Sequence, residues 1–452
     1  MKPIAYRWRR AVRLEALGDA APDALVGNRP LAERQRESFA AAGFAVKDVT
    51  SPEEVSDREF LLFVDNLYVS PRLLRAFLAE VARRRAAGSS LQLALADGPF
   101  TSFTQFAAEQ PTVVSGGRRA YRYGLYACRA DASGRLADLA QAEPVPLDAG
   151  QRRLTLPFSS RIPTMPDLHL PVTDRVAFEL TSWVHLWMAN LFFIYVDFRE
   201  RLRSPRAWPG LAWRMATAVL TALTLRPFGL ALAAARGLVV RGRGCRIHPT
   251  AVVEASVLGR DVDIGPQCVV RGSILGDGAR VLEHAIVDGS VLGDRVLVNA
   301  QGLVKLSVVF PEAVLTWTQA SVVGRRAYLG AFTRALDMRL EGQVRVRHRG
   351  VLVSTGLPFL GCCVGHRAIV SGDSLIAPGR VIPNDCRIVS DEARQIRDVS
   401  DELPRDGLLV ERAGVVEPLR PAAVTGARPD RPAGGGRGPG AAGTGGAPPD
   451  GA

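Results

Sequence analysis

The chain has 452 residues, 47% of them apolar, and a formal charge of +12; that suits two or three domains of roughly 150 residues with packed cores and excludes a small disulfide scaffold or a wholly disordered protein. Six cysteines (Cys128, Cys245, Cys268, Cys362, Cys363 and Cys386) form no C-x-x-C pair, so they spell neither a zinc site nor a disulfide framework. The opening MKPIAYRWRRAVRLEAL has no continuous apolar run ahead of a small-residue cleavage site, so it reads as no secretory signal, and a reducing cytoplasm is the expected setting.

Residues 1–165 alternate helix and strand. The spacing predicts a helix from Arg29 to Ala42, ended by Gly43, a residue favoured just past a helix terminus. Leu61-Leu62-Phe63-Val64 predicts a short buried strand, and Pro71 to Arg85 a second helix before Gly88. Leu91 to Ala96 and Tyr121 to Cys128 predict further strands. Such alternation predicts a mostly parallel, Rossmann-like α/β sheet with helices on its faces.

Within this region Pro22-Asp23-Ala24-Leu25, Asn28-Arg29-Pro30-Leu31 and the helix ending Ala41-Ala42-Gly43-Phe44 resemble the opening of the sugar-phosphate nucleotidyltransferase family. The resemblance implies a nucleotidyltransferase-like fold, a nucleotide sugar or sugar phosphate as ligand, and a strand ending in a metal-binding aspartate. Phe63-Val64-Asp65-Asn66 stands where that strand ends. Asp65 is thus the implied Mg2+ ligand, with Asn66 and Arg29 as substrate contacts. Two departures are visible: the family's Gly-x-Gly-Thr-Arg loop falls around Leu14 to Ala21, where Gly18 stands alone, and the family's lysine is Asp23. A phosphate loop needs several glycines to bring consecutive N–H groups close, so weak or absent nucleotidyl transfer is expected.

Residues 166–244 hold the most apolar windows, Leu180 to Val196 and Met215 to Ala235, and are expected to be a helical linker. His185, Asn190 and the break at Arg226-Pro227 argue for packing between domains rather than membrane spans. Between Arg199 and Arg243 nine arginines face the single acid Glu200. No helix-turn-helix cue, zinc-finger spacing or aromatic platform accompanies them, so nucleic acid is not expected. An anionic ligand or peripheral attachment to an anionic inner-membrane surface explains them better.

Residues 245–395 follow an internal repeat. Ser256-Val257-Leu258-Gly259 returns as Ser273-Ile274-Leu275-Gly276 and Ser290-Val291-Leu292-Gly293, each 17 residues on. Ser307-Val308-Val309-Phe310 keeps the spacing, and Ser321-Val322-Val323-Gly324 follows after 14. Apolar residues recur every six positions, at Leu258, Ile264 and Val270, then Leu275 and Val281, then Leu292 and Val298. At ~3.3 Å per residue, six residues make a wall and its corner, so three walls close a triangular coil with the aliphatic residue inside. Gly259, Gly265, Gly276 and Gly293 follow at the corners. After an irregular insertion around Ala335 to Val351 the rhythm resumes from Leu360 to Ile388.

The opening Ile247-His248-Pro249-Thr250-Ala251-Val252 resembles the first coil of the left-handed parallel β-helix, or hexapeptide-repeat, family. Handedness comes from that resemblance. It implies a homotrimer with acyl transfer from acetyl-CoA or another acyl-CoA in a cleft between subunits, and a histidine as general base, a role its ordinary pKa near 6.5 suits. His366, in Cys362-Cys363-Val364-Gly365-His366-Arg367, is the first candidate. His348 is the second, with Arg347 beside it as a substrate contact; His284 is the third, and His248 reads as structural. Asn299 and Lys305, around the irregular Asn299-Ala300-Gln301-Gly302, are further substrate candidates. Cys362 and Cys363 read as core filler.

Over roughly residues 10–390 the layout resembles the bifunctional family that joins N-acetylglucosamine-1-phosphate uridyltransferase to glucosamine-1-phosphate acetyltransferase. The expected function is a transferase of nucleotide-sugar metabolism. The alternative is a catalytically degenerate trimeric scaffold, or a sugar-nucleotide-binding protein, at the membrane surface. Residues 396–416 read as an extension, and 417–452, rich in Gly, Ala and Pro, are expected to be disordered.

Overall fold

The computed structural model describes residues 3–84, 90–106, 112–115, 117–129, 138–156, 168–203, 238–339, 341–391, 402–403, 408–412 and 415–418. The N-terminal region begins with β1 (Ile4–Trp8), a ribbon of β2 (Leu25–Val26) and β3 (Arg29–Pro30), and α1 (Leu31–Ala41). The helix starts two residues later than its spacing suggests because Arg29 and Pro30 pair with Val26 and Leu25. Next come β4 (Ala45–Val49), β5 (Glu59–Val64), β6 (Leu67–Val69), α2 (Pro71–Arg84), β7 (Leu91–Ala96) and the short α3 (Pro99–Thr104). β8 (Thr112–Ser115), β9 (Arg118–Arg129), β10 (Glu143–Leu147), the ribbon of β11 (Arg152–Leu156) and β12 (Leu168–Val172), β13 (Ala177–Glu179) and α4 (Trp183–Arg203) complete it.

The main sheet has the order β10-β7-β9-β5-β1-β4, with β8 added to β9. β4, β1 and β5 are parallel to one another, as are β10 and β7. β9 runs antiparallel between β5 and β7, so the sheet is mixed rather than mostly parallel. The cause is local: β9 returns through a tight hairpin from β8, with Gly117 at φ +77°, and not through a crossover helix. β5 reads as a continuous apolar run because both its faces are covered. Phe63 stacks on Phe39 of α1 at 4.2 Å, while Leu62 packs with Tyr6 and Phe60 on the other face.

The window Leu180 to Val196 lies mostly in α4, whose first three turns are buried almost all round. Phe192 meets Phe100 and Phe178 of the α/β region. On the other side Trp187 donates Nε1–H to Leu306 O at 2.6 Å, inside the repeat region. Asn190 anchors the middle: its Nδ2 donates to Leu25 O at 2.8 Å and its Oδ1 accepts from Gly27 N at 2.8 Å. Region 166–244 thus also holds strands, β12 and β13. No helix among the described residues is long and apolar enough to cross a membrane. The window Met215 to Ala235 lies outside them.

The repeat forms three ladders of parallel strands, as a parallel β-helix requires. One aligns Val257, Ile274, Val291, Val308, Val322, Cys363 and Val381. A second aligns Asp263, Arg280, Leu297, Val314, Tyr328, Ile369 and Arg387, and a third Val269, Ile286, Leu303, Trp317, Arg334 and Leu375. The next residue of each strand points inward, and Leu258, Ile264, Val270, Leu275, Val281, Leu292 and Val298 are all buried.

The repeated serine has its own role. Each backbone N–H of Ser273, Ser290, Ser307 and Ser321 donates to the hydroxyl of the serine one coil earlier, at 3.0–3.3 Å, and Cys362 N–H continues the ladder to Ser321 Oγ. Gly259 follows because a Cβ there would lie 2.8 Å from Asp277 N and Gly276 C of the next coil. The 14-residue step is a cut corner: Asn299–Gly302 has no counterpart in the next coil, where Thr316 alone spans between Leu315 and Trp317. Residues 391–452 form a separate unit; its described residues include the antiparallel hairpin Leu409–Arg412 with Val415–Pro418. Beyond residue 418 the tail lies outside the described residues.

Candidate functional site

In an open α/β sheet the ligand crevice lies beyond the carboxyl ends of the parallel strands, where the strand order reverses. Here β1 leads to β4 on one side and β5 lies on the other, so the reversal sits at the ends of β1 and β5. Asp65 and Asn66 occupy that end of β5. Asp65 N donates to Trp8 O at 3.0 Å, and Gln35 Nε2 donates to Asp65 O at 2.9 Å, so its backbone is pinned between β1 and α1. Its side chain is 2% exposed, and Oδ1 has no hydrogen-bond partner. Burial raises its pKa, against the pull of the Arg10 and Ala11 backbone N–H groups.

Mg2+ is held by exposed carboxylate oxygens together with substrate phosphates and water. Asp65 is buried, and no group of three or more His, Cys, Asp or Glu suited to a metal exists among the described residues. Asn66 is equally buried, and its Nδ2 reaches Leu180 O at 3.4 Å.

Three backbone donors of the loop after β1 are already engaged. Leu14 N donates to Asp19 O, Glu15 N to Thr181 O and Gly18 N to Leu14 O, each at 2.8 Å. Those N–H groups are not available to a phosphate. What the loop presents instead are two carboxylates, and both reach the β-helix. Glu15 Oε2 lies 2.5 Å from His348 Nδ1, and its Oε1 accepts from Arg349 N at 2.7 Å. Asp19 Oδ2 lies 3.1 Å from His366 Nε2, and Arg325 Nη1 is 3.4 Å from Asp19 Oδ1. Asn384 bridges the same junction, accepting from His366 N at 2.7 Å and donating to Leu17 O at 2.8 Å.

His366 and His348, the two predicted general bases, are thus brought together on one loop, but as interdomain struts. His366 Nδ1 accepts from Arg325 N at 2.8 Å, so the neutral ring carries its proton on Nε2 and donates it to Asp19. Neither nitrogen is left for a substrate proton. Both rings are buried and packed on aromatics, His366 on Phe310 and His348 on Phe106. His284 is an exposed corner residue at φ +60°, and His248 Nδ1 bonds Thr250 Oγ1 at 2.8 Å.

The other predicted contacts are scattered. Arg29 pairs with Glu37 at 2.7 Å beside a cavity of about 380 Å3, where Arg34 and Arg201 are also paired, with Glu37 and Asp197. Asn299 lies in the full corner that the next coil cuts short, Lys305 is exposed at the end of the same strand, and Arg347 stands on an inserted hairpin. No hydrogen bond or ion pair among the described residues joins Arg29, Asn299 or Lys305 to Asp65.

A cavity not anticipated from the sequence lies at the carboxyl ends of β7 and β10. It measures about 330 Å3 and is lined by Asp97, Gly98, Arg118, Arg119, Asp148 and Gln151, among others. Arg118 and Arg119 are exposed at the start of β9 and form no ion pair among the described residues. The Asp97-Gly98 pair directly after an apolar strand is the signal that would have found it.

Residues 236–323 match the family described as the GMPPB C-terminal domain. The chain is also 38% identical over 86 residues to an uncharacterised acetyltransferase, YaiX, of Escherichia coli K12, and equally to its counterpart in Escherichia coli O6:K15:H31. Each match covers 18% of this chain, which spans 37% of the relative's length. The family match concerns the β-helix.

Proposed function

We propose that the α/β region binds a sugar phosphate or nucleotide sugar at the carboxyl edge of its sheet, and that the β-helix, left-handed by resemblance, is its rigid mount. The observation that carries this reading is the cavity at Asp97, Arg118, Arg119, Asp148 and Gln151. Two guanidinium groups with no ion pair among the described residues suit a phosphate, while the carboxylates and the amide suit sugar hydroxyls. At about 330 Å3 it lies at the low end of small-molecule sites, which favours a sugar phosphate over a whole nucleotide sugar. The likeness of the β-helix to the GMPPB C-terminal domain supports a partner domain of the nucleotidyltransferase type.

Transfer chemistry is the second reading, as a nucleotidyltransferase or, by analogy with the acetyltransferase relatives, an acyltransferase. The first would need phosphate donors from the Leu14–Asp19 loop, where the N–H groups of Leu14, Glu15 and Gly18 are engaged. The second would need a histidine other than His366. Thermal-shift titration of the full chain with sugar 1-phosphates, nucleotide sugars, UTP with Mg2+ and acetyl-CoA separates these readings, because a specific ligand stabilises by mass action. A sugar phosphate shift lost in Arg118→Ala/Arg119→Ala supports the binding site. A shift with acetyl-CoA alone, or pyrophosphate release from UTP that Asp65→Ala abolishes, would overturn it.

A further inference from the structure

The insertion that interrupts the coils contains a hairpin, Arg345–His348 paired with Val351–Ser354. The two-residue period of a strand sorts its side chains. Val346 packs into the core shared with the α/β region, with Val353 partly buried beside it. Arg345 and Arg347 stand on the other face, opposite Ser354 and Leu352. Leu352, on this face, is 37% exposed, and Val351, which pairs with His348 on the opposite face at the tip, is 64% exposed.

Among the described residues, the cations on this face have no carboxylate partner. Arg345 Nη2 donates to Leu352 O at 3.3 Å, Arg347 Nη1 to Gly350 O at 2.9 Å, and the neighbouring Arg380 Nη2 to Arg345 O at 2.6 Å. None of the three forms an ion pair among the described residues. Other exposed arginines on the β-helix are paired, Arg246 with Asp263, Arg260 with Asp277, Arg295 with Glu312 and Arg367 with Asp385, while Arg241, Arg243, Arg280 and Arg387 are exposed and, like the hairpin arginines, form no ion pair among the described residues. Glu341 is the single acid between Met338 and Leu360, a stretch that also carries Arg339 and Arg349.

From this pattern we propose that the hairpin docks the protein on an anionic lipid surface. Val351 and Leu352 enter the headgroup boundary, and Arg345, Arg347 and Arg380 meet lipid phosphates. Apolar side chains at a tip flanked by cations are what an interfacial anchor needs. A nucleic-acid surface would call for stacking aromatics or base-reading amides, and the hairpin has neither.

The test is cosedimentation of the full chain with vesicles of phosphatidylcholine, alone or with one third phosphatidylglycerol. Each arginine close to an anionic surface contributes about fivefold in partitioning, so Arg345→Ala/Arg347→Ala should lower the partition coefficient roughly thirtyfold. Val351→Asp, which alters only an exposed side chain, should lower it with the arginines intact. Arg246→Ala/Arg295→Ala removes the same charge from paired sites and should leave it unchanged. Unaltered thermal unfolding establishes that the variants are folded. The proposal is overturned if the hairpin variants bind like the parent, if both double variants lose equally, or if the chain binds neutral vesicles as well. Loss of affinity for a DNA duplex with vesicle binding retained would overturn it too.

Discussion

His366 Nε2 and Asp19 Oδ2, 347 residues apart in the chain, are 3.1 Å apart in the fold. Arg325 N holds the opposite ring nitrogen at 2.8 Å, so the imidazole is a fixed link between the β-helix backbone and the loop after β1. Glu15 and His348 repeat the arrangement one hairpin away. The loop after β1 is thus turned toward the neighbouring β-helix.

A double-mutant cycle measures the link. Asp19→Ala strands a buried imidazole N–H, and His366→Ala strands the Arg325 N–H and takes one partner from the half-buried Asp19 carboxylate, which keeps Arg325, so each should cost about 1–3 kcal/mol in urea unfolding. The double variant should cost less than the sum, with a coupling of about 0.5–3 kcal/mol. Strict additivity would show that the bond carries no energy.

Acid should loosen the same junction. Burial alone would raise the Asp19 pKa, but the hydrogen bonds and charges of His366 and Arg325 outweigh it and hold the carboxyl below its ordinary value. A carboxylate depressed in the native state contributes stability that is fully present above the unfolded value near 4 and is lost as pH falls through the native value. Unfolding free energy should therefore drop below about pH 4 in the parent and drop less steeply in Asp19→Asn. Identical acid profiles would remove Asp19 from the account.

The inner column of the β-helix was legible because its signal is local: an apolar residue every six positions and a serine every 17. The reason for the serine was not, since Ser290 looks like corner chemistry until the next coil places Ser307 N on its hydroxyl. The direction of β9 was hidden because an apolar strand has the same pattern in either sense, and only the hairpin from β8 fixes it. The histidines misled for a different reason. Residue type and coil position point to catalysis, while the carboxylates that occupy them lie more than 300 residues upstream.

The serine ladder predicts a position-specific cost. Ser290 Oγ accepts from Ser307 N at 3.0 Å and donates to Asp288 O at 3.0 Å, fully buried. Ser290→Ala strands the buried Ser307 N–H, while Asp288 O keeps the Leu306 N–H at 2.8 Å, and should cost about 1–3 kcal/mol, although it adds no bulk. Exposed Arg280→Ala, 10 residues earlier in the sequence, should stay within about 0.5 kcal/mol. Equal effects would mean that the hydroxyls do not carry the stacking.

The homotrimer implied by the hexapeptide resemblance has two β-helix faces left to use. On the first ladder Ile274, Val291, Val308, Val322 and Cys363 are buried in the core shared with α4 and the α/β region. The third ladder exposes Ile286 and Trp317, each at 40%, and Leu375 at 65%; the second exposes Tyr328 and Ile369, and Phe332 stands 70% exposed between them. Single exposed apolar residues are ordinary, but columns in register over successive coils form a patch that association would cover. Light scattering should give three times the 48.6 kDa of one chain. Trp317→Glu/Phe332→Glu should give smaller species with an unchanged circular dichroism spectrum, because both side chains already face solvent within one chain. A parent that stays monomeric across micromolar concentrations would remove the trimer, and with it the intersubunit cleft that acyl transfer in this family requires.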